Sequence, residues 1–216
     1  MRKHVYKIKN SLFILALLLF ASFVQSVNGA VCDISPQEIK QLRQKLVTAV
    51  NHESKGEYSK AIQLLEIVRA SGCWEPIHAL HLGDLYMHMG QYADALNNLE
   101  DAQSKGIIEA ELFPLLGEAY FRVGNHQKAE AAFSTGIHRS IEETRAFSGD
   151  LNPSVIDPAR SELYVHRAEV YSVQGKRQLA IKDLRAAVHI DPYNSKAKAQ
   201  LKQLLQNASQ QSAADK

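Results

Sequence analysis

The sequence predicts an all-α protein, a right-handed α-solenoid of about four helix-turn-helix units followed by a C-terminal capping helix. The first observation is a repeat, because the pattern around Gly83 returns around Gly117, 34 residues later, with tyrosine, glycine and alanine at matching places. The second is a further copy that begins at Ala168, after one period and an insertion of about half a repeat. Moved back by one period, the pattern also meets a matching set, Gly56, Tyr58, Ala61 and Leu65. Repeats of this length are typical of stacked architectures.

Each unit contains two apolar stretches with helical spacing, and a glycine between them ends the first helix and lets the chain reverse. The unit is therefore a helical hairpin. Small residues in both helices, such as Gly83 and Ala95, allow the two backbones to approach closely, and larger apolar side chains fill the layer between them. One hairpin cannot bury its apolar stripe alone, so the hairpins must stack on one another.

The helices follow in order from local signals. Ser35, Pro36 and Glu38 open the first predicted helix, which ends near Glu53 before Gly56. Further helices are predicted over residues 58–71, 76–89, 92–104, 109–123, 126–145, 158–173 and 177–189.

The insertion and the C-terminus have their own patterns. Turn-forming residues cluster from Ser148 to Pro158, which predicts a loop. Residues 195–206 are amphipathic and are expected to cap the apolar end of the stack. From Ala208 the sequence is rich in Gln, Ser and Ala, and we expect a disordered tail.

This pattern of Leu-Gly, Tyr, Gly, Ala and a closing Pro resembles the tetratricopeptide repeat (TPR), a helix-turn-helix of about 34 residues. The first copy departs from it, because Lys45, Thr48 and His52 stand where the family has an aromatic residue, Leu and Tyr. The resemblance implies a TPR domain over residues 30–207, with repeats at about 42–75, 76–109, 110–143 and 161–194, an insertion at about 144–160, a capping helix at 195–207 and a tail at 208–216.

Residues 1–29 are predicted to be a signal peptide. The apolar run from Leu12 to Val24 is about 13 residues long, shorter than the about 20 that a membrane span requires. We therefore expect an exported, periplasmic protein, cleaved near Gly29 or Ala30, with no stable membrane span afterwards; a leader retained as an anchor is the alternative. The basic residues before the run are Arg2, Lys3, Lys7 and Lys9.

Charge and cysteine content limit the partners and the compartment. The chain has 25 Lys and Arg against 23 Asp and Glu, and four of the basic residues lie in the leader, so the remainder is slightly acidic. No basic patch with interleaved aromatic residues remains, which argues against nucleic acid as a partner. Cys32 precedes the first helix and Cys73 follows the second, positions that lie side by side in an antiparallel hairpin. In an oxidising compartment we expect a Cys32–Cys73 disulfide, and two buried free thiols are the alternative.

No catalytic motif and no cofactor-binding motif is recognisable, so the sequence predicts a protein that is not an enzyme and needs no cofactor. One helix places His81, Asp84 and His88 near one face, with His78 further round, which makes the first three weak candidates for a metal site. Exposed histidines on one face are common, and no metal is the preferred interpretation.

The resemblance implies a concave groove lined by the first helix of each repeat. The groove positions combine apolar side chains with a surplus of acids, which suits an extended or helical peptide with basic and apolar residues. They are Ile77, Leu80, Asp84, Met87 and His88 in the second repeat, Glu111, Pro114, Glu118, Phe121 and Arg122 in the third, and Glu162, Val165, Glu169, Ser172 and Val173 in the fourth. The first repeat gives Arg43, Leu46, Val50, Glu53 and Ser54 with a weaker register.

The predicted function is that of an adaptor or scaffold that binds a partner protein or peptide in envelope assembly or secretion. The alternatives are an accessory subunit or weak catalyst acting on cell-wall glycan, and a metal-binding helical protein. Self-association through the insertion or the capping helix also remains open, because the sequence does not give the oligomeric state.

Overall fold

The structure is a computed structural model that describes residues 34–73, 75–108, 111–148 and 157–214. Within these ranges the chain consists of nine α-helices and contains no strand, which confirms the all-α prediction. The predicted leader lies outside the described residues, as does Cys32. The helices are α1 (Pro36–Ser54), α2 (Tyr58–Ala70), α3 (Pro76–Met89), α4 (Tyr92–Ser104), α5 (Leu112–Arg122), α6 (His126–Ser148), α7 (Pro158–Val173), α8 (Arg177–Ile190) and α9 (Ser195–Ala214).

The first helix begins as its sequence predicts. Ser35 Oγ accepts a hydrogen bond from the Glu38 N–H at 3.3 Å, and Glu38 Oε2 accepts one from the Ser35 N–H at 2.8 Å. This reciprocal arrangement is a capping box, and it satisfies two backbone donors that the helix itself cannot pair. At the other end of a hairpin turn, Gly90 has φ of 72°, a left-handed conformation that favours glycine after α3.

The chain forms two compact units that divide between Lys105 and Gly106. The first unit contains the hairpins α1–α2 and α3–α4. Gly83 of α3 lies against Leu99 of α4, so close that a Cβ atom at Gly83 would stand 2.6 Å from Leu99 Cγ. The core of this unit is completed by Ala49, Ala61, Ile62, Leu65, Leu82 and Leu85.

The first hairpin keeps the repeat register despite its atypical sequence. Ala49 stands 34 residues before Gly83, and it is the one residue of α1 that is classed as buried, with 0% exposure. Leu46 packs beside it as a partly buried side chain. A narrow contact through Ala49 and Leu46 explains why Lys45, Thr48 and His52 are tolerated, because none of them has to fill the core.

The second unit contains the hairpins α5–α6 and α7–α8 followed by α9. Gly117 of α5 faces Phe133 of α6, where a Cβ atom would stand 2.5 Å from the ring. Ala168 of α7 packs with Leu184 of α8, and α9 adds Ala197 to the same cluster. The predicted capping helix therefore covers α7 and α8, with Leu201 and Leu204 partly buried against them.

Two element ends differ from the sequence prediction. Helix α6 continues to Ser148, so the first part of the insertion is helical where a loop was expected to begin. Helix α9 continues to Ala214, and the predicted disorder is wrong for residues 208–214. Alanine and glutamine favour helix, and a helix already fixed by packing at Ala197 extends readily through them. Among the described residues, no helix has the length and apolarity needed to cross a membrane.

Candidate functional site

The predicted groove residues lie on the first helices of the hairpins, which are α1 and α3 in the first unit and α5 and α7 in the second. We call the surfaces that carry them the first-helix faces, and we describe them unit by unit. They are the part of the molecule that the sequence analysis assigned to ligand binding.

Two of the predicted groove residues are core residues. Leu80 is 2% exposed and Val165 is 0% exposed, so neither is available to a ligand in this structure. The two stand at the same repeat position, three residues before Gly83 and Ala168 respectively. One helical turn separates residues three apart, so these side chains share the stripe that packs against the second helix.

The other predicted positions divide by unit. In the first unit Asp84 is buried with 7% exposure, whereas Ile77, Met87 and His88 are partly buried. In the second unit the predicted surface is more accessible. Glu111 and Arg122 are exposed, and Glu118, Phe121, Glu162 and Glu169 are partly buried. Whether these side chains contact a ligand stays a prediction.

His166 is the centre of a carboxylate cluster in the second unit. Its Nδ1 atom lies 3.6 Å from Glu118 Oε2 on α5 and 3.5 Å from Glu169 Oε2 on α7, and its Nε2 atom lies 3.9 Å from Glu162 Oε2. The imidazole also stacks on Phe133 of α6, with ring centroids 5.6 Å apart. The cluster thus joins the three predicted acidic positions of α5 and α7 through one side chain.

Helix α9 continues this network. Lys196 Nζ lies 3.1 Å from Glu169 Oε1, and Gln200 Nε2 donates a hydrogen bond to the same oxygen at 2.7 Å. Asn194, just before α9, donates to Glu162 Oε1 at 2.9 Å. Burial alone would raise the pKa of Glu169, but its contacts with His166, Lys196 and Gln200 outweigh burial and lower the pKa to about 2. Glu169 is therefore an ionised anchor for α9.

The acid limb of the stability profile tests this anchor. Because the folded-state pKa of Glu169 lies below its usual value, its stabilisation is present above about pH 4.5 and is lost as the pH falls toward about 2. We expect this to contribute roughly 2 kcal/mol to the free energy of unfolding at neutral pH. In Glu169→Gln, the urea midpoint should fall less steeply between about pH 5 and pH 2 than in the wild type. Parallel acid limbs for the two proteins would remove Glu169 from this role.

The first unit has a contact at the equivalent position. His81 stands two residues before Gly83, as His166 stands two residues before Ala168. His81 Nε2 lies 2.6 Å from Glu53 Oε2, so it connects α3 to the preceding first helix, α1. In both units, a histidine at this repeat position contacts a carboxylate on the first helix before it. Glu53 and Glu118 thus serve packing between repeats as well as forming part of the surface.

The weak metal candidates do not form a metal site. His88 Nε2 is 3.9 Å from Asp84 Oδ1 and its ring stacks on Tyr58 at 4.6 Å, while His81 is directed to Glu53. Burial raises the pKa of Asp84, which favours its neutral form. In the described part of the chain, no three His, Cys, Asp or Glu side chains are grouped so that they could hold an ion.

His78 has a structural part in the same helix. Its Nδ1 atom accepts a hydrogen bond from the Glu75 N–H at 3.1 Å, which satisfies a backbone donor at the start of α3. Its pKa is lowered to about 4, first by burial and then by the charge of His81. An Nδ1 atom that accepts this bond must be unprotonated, so the contact requires neutral histidine.

The pH dependence of the first unit follows from His78. Below about pH 6.5 the unfolded chain binds a proton at this histidine, while the folded protein does so only near pH 4. The free energy of unfolding should therefore decrease by about 2–3 kcal/mol as the pH falls from 6.5 to 4. His78→Asn retains a side-chain acceptor and should flatten this part of the profile. An unchanged slope in urea titrations of the variant would show that His78 does not titrate in this way.

The sequence reasoning missed the pairings that define these clusters. It placed Glu118, Glu162 and Glu169 on one surface but did not assign His166 to them, and it gave Lys196 and Gln200 no role beyond the capping helix. The available signal was the common repeat position of His81 and His166. Because the insertion lies between α5 and α7, Glu118 and His166 are 48 residues apart, and the 34-residue period alone does not align them.

Comparison with protein families identifies the fourth hairpin. Residues 161–194 match the family model described as tetratricopeptide repeat. These are the residues predicted for the fourth repeat, and they cover most of α7 and all of α8. The resemblance drawn from the sequence is thus confirmed for this segment, which is a TPR.

Solved structures extend the likeness to the whole fold. A crystal structure of MamA protein matches with a TM-score of 0.64 and 19% identity, covering 79% of this chain and 84% of that one. A second MamA crystal structure gives a TM-score of 0.56 and 19% identity, covering 76% of this chain and 96% of that one. The predicted fold class is confirmed, and at this level of identity the likeness concerns the fold alone.

One curated relative is an enzyme. The chemotaxis protein methyltransferase of Escherichia coli (strain K12) is 27% identical over 153 residues, which are 63% of this chain and 52% of that protein. The chain therefore spans about half the length of this relative. The catalytic name belongs to that protein.

Proposed function

We propose that this protein, which shares its fold with TPR proteins, is a non-enzymatic scaffold that binds a partner protein or peptide on its first-helix faces. The observation that carries the proposal is the surface of the second unit. The His166 cluster holds its carboxylates in place, yet 29% of the Glu118 side chain and 36% of the Glu162 side chain stay exposed. Charged groups held in fixed positions at a surface suit recognition, because binding does not have to order them.

The composition of this face defines the partner. Glu111, Glu118, Glu162 and Glu169 outnumber the cations beside them, Arg122 and Lys196, and Phe121 is partly exposed among them. A partner segment with basic and apolar side chains fits this combination by charge and by the aromatic anchor. Leu80 and Val165, being buried, contribute to the shape of the support and not to the contact.

The proposal places the protein outside the cytoplasm, with a role in envelope assembly or secretion. It is supported by the basic start and the apolar run of the predicted leader. The proposed Cys32–Cys73 bridge belongs to the same setting, because exported proteins meet oxidising conditions. Cys73 is partly buried directly after α2, and Cys32 lies outside the described residues. Full alkylation of both cysteines in the native, unreduced protein would exclude the bridge.

Defined peptides test the binding face. We expect a labelled peptide of alternating Lys and Leu to bind in a fluorescence anisotropy titration, and its Glu and Leu counterpart not to compete for this face. Glu111→Lys and Glu118→Lys should each weaken binding about fivefold, because each variant exchanges attraction for repulsion. Glu142→Lys, on the exposed side of α6 in the same unit, serves as the matched control and should bind as the wild type does.

Thermal melts of the four proteins provide the check on folding. Equal affinity of all four for the Lys and Leu peptide, with unchanged melts, would contradict the proposal, and so would the absence of any binding to the wild type.

A further inference from the structure

The second unit has another surface with a distinct composition, formed by its two hairpin turns. We call it the turn edge and define it as residues 122–128, between α5 and α6, and residues 173–177, between α7 and α8. The two turns enclose a shallow depression lined by residues 123–127 together with Gln174 and Lys176. It lies apart from the carboxylates around His166 and belongs to no function described above.

The charge of the turn edge is uniformly basic in sequence. Residues 119–129 and 170–182 contain no Asp or Glu, while they contain the cations Arg122, Lys128, Lys176, Arg177 and Lys182. The corresponding turns of the first unit are followed by Glu57 and Asp94. The turn edge of the second unit therefore has the charge opposite to that of its first-helix face.

Lys176 is the cation that lines the depression. Its Nζ atom donates to Glu130 Oε2 at 2.9 Å and lies over the Tyr171 ring at 5.5 Å from the centroid. An ammonium group has three N–H donors, so it can serve a second carboxylate in addition to Glu130. The contact with Tyr171 fixes the stem of the side chain and directs the charge along the turn.

Apolar side chains accompany this charge. Val123 is 44% exposed at the rim of the depression, and Val173, next to Gln174, is 58% exposed. Isolated apolar residues are common on protein surfaces. Here two of them flank one depression, so a ligand that covers it can bury both.

Two polar atoms of the lining lack an internal partner. Gln174 Oε1 and His126 Nδ1 are inaccessible to solvent, and neither finds a hydrogen-bond partner in the described part of the chain. Gln174 donates to Glu130 through its other side-chain atom, and this bond helps to lower the pKa of that carboxyl. The amide is thereby held with its oxygen unpaired. Buried polar atoms are usually paired, and an unpaired acceptor beside a depression is where a ligand donor fits.

We propose that the turn edge binds an acidic and apolar segment of a partner protein. A carboxylate of the segment pairs with Lys176, a backbone N–H donates to Gln174 Oε1, and apolar side chains cover Val123 and Val173. The charge favours an acidic ligand. The concave lining and the oriented amide acceptor favour a peptide over an anionic membrane, which presents phosphate acceptors and no comparable N–H donor.

The test uses the full chain and a fluorescein-labelled peptide of alternating Glu and Leu in an anisotropy titration. Val173→Ser removes an exposed side chain at the end of α7 and should weaken binding about threefold. Lys176→Gln should weaken it about two- to fivefold, and raising the salt concentration should reduce wild-type binding. Lys198→Gln, an exposed lysine on α9, is the matched control and should leave the affinity unchanged.

The outcomes are separable. A loss confined to Val173→Ser and Lys176→Gln, with binding of the Lys and Leu peptide retained, supports the turn edge as a second site. Equal affinity of the acidic peptide for all four proteins, or no binding to the wild type, overturns it. Binding to phosphatidylserine vesicles that the acidic peptide does not displace would assign the edge to a membrane and would also overturn the proposal. Failure of the Lys and Leu peptide alone concerns the first-helix face and leaves this inference standing.

Discussion

Replacing Gly117 with valine is expected to lower the free energy of unfolding of the second unit by about 3 kcal/mol. A Cβ atom at this position would lie 2.5 to 2.7 Å from three carbons of the Phe133 ring. Phe133 is 1% exposed, so the ring has no free space into which it can turn. The clash therefore forces α5 and α6 apart, and the cost should appear as a lower midpoint in urea denaturation.

Two other substitutions serve as controls for the Gly117 variant. Ala131 is exposed on α6, and Ala131→Val should change stability by less than about 0.5 kcal/mol. Gly124 has φ of 83° with open space around it, so Gly124→Ala should cost about 1 kcal/mol through backbone strain alone. If Gly117→Val unfolded at the wild-type midpoint, the close approach of the two helices would not be a requirement of the hairpin.

Asp183→Ala is expected to destabilise the same unit by about 3–5 kcal/mol. Asp183 accepts two hydrogen bonds from Arg167, from Nε at 2.7 Å and from Nη2 at 2.9 Å, and Arg167 Nη1 donates to Ser134 Oγ at 3.0 Å. The Asp183 side chain is 5% exposed and that of Arg167 17% exposed. Removing the carboxylate leaves a buried guanidinium without its counter-ion, and unfolding in urea measures the loss.

A double variant separates the charge from the packing. Arg167→Met with Asp183→Leu removes both charges and should be less destabilising than Asp183→Ala, because no uncompensated ion remains. Asp101→Ala, which breaks the exposed pair with Lys105 at 2.8 Å, should cost less than about 1 kcal/mol. An Asp183→Ala variant as stable as Asp101→Ala would show that the buried pair contributes little.

Much of the fold could be predicted from the sequence because each hairpin repeats the same local signals. The glycines at positions 56, 90, 124 and 175 all have positive φ and end first helices at the predicted places. The spacing of Gly83 and Gly117 indicated close helix contacts, and the structure places Leu99 and Phe133 against them. The ends of α6 and α9 were less predictable, since residues compatible with both helix and coil leave the choice to packing.

The candidate site was only partly predictable. Repeat position identified Glu118, Glu162 and Glu169 as one group, but the same rule placed the buried Leu80 and Val165 among them. Periodicity gives the face of a helix and does not give the depth at which a side chain lies. The role of His166 depends on the insertion that shifts α7 relative to α5 along the sequence. The basic turn edge was overlooked because its cations are divided between two turns about 50 residues apart.

The most direct test of the first-helix face is site-specific photocrosslinking in the native compartment. A benzophenone amino acid in place of Phe121 on α5 is compared with one in place of Gln63, which is exposed on α2, a second helix. We expect a discrete adduct with a partner protein from position 121, none from position 63, and a weaker adduct when Glu118→Lys is added. Adducts of equal yield from both positions, or an adduct from position 63 alone, would contradict a binding face on the first helices.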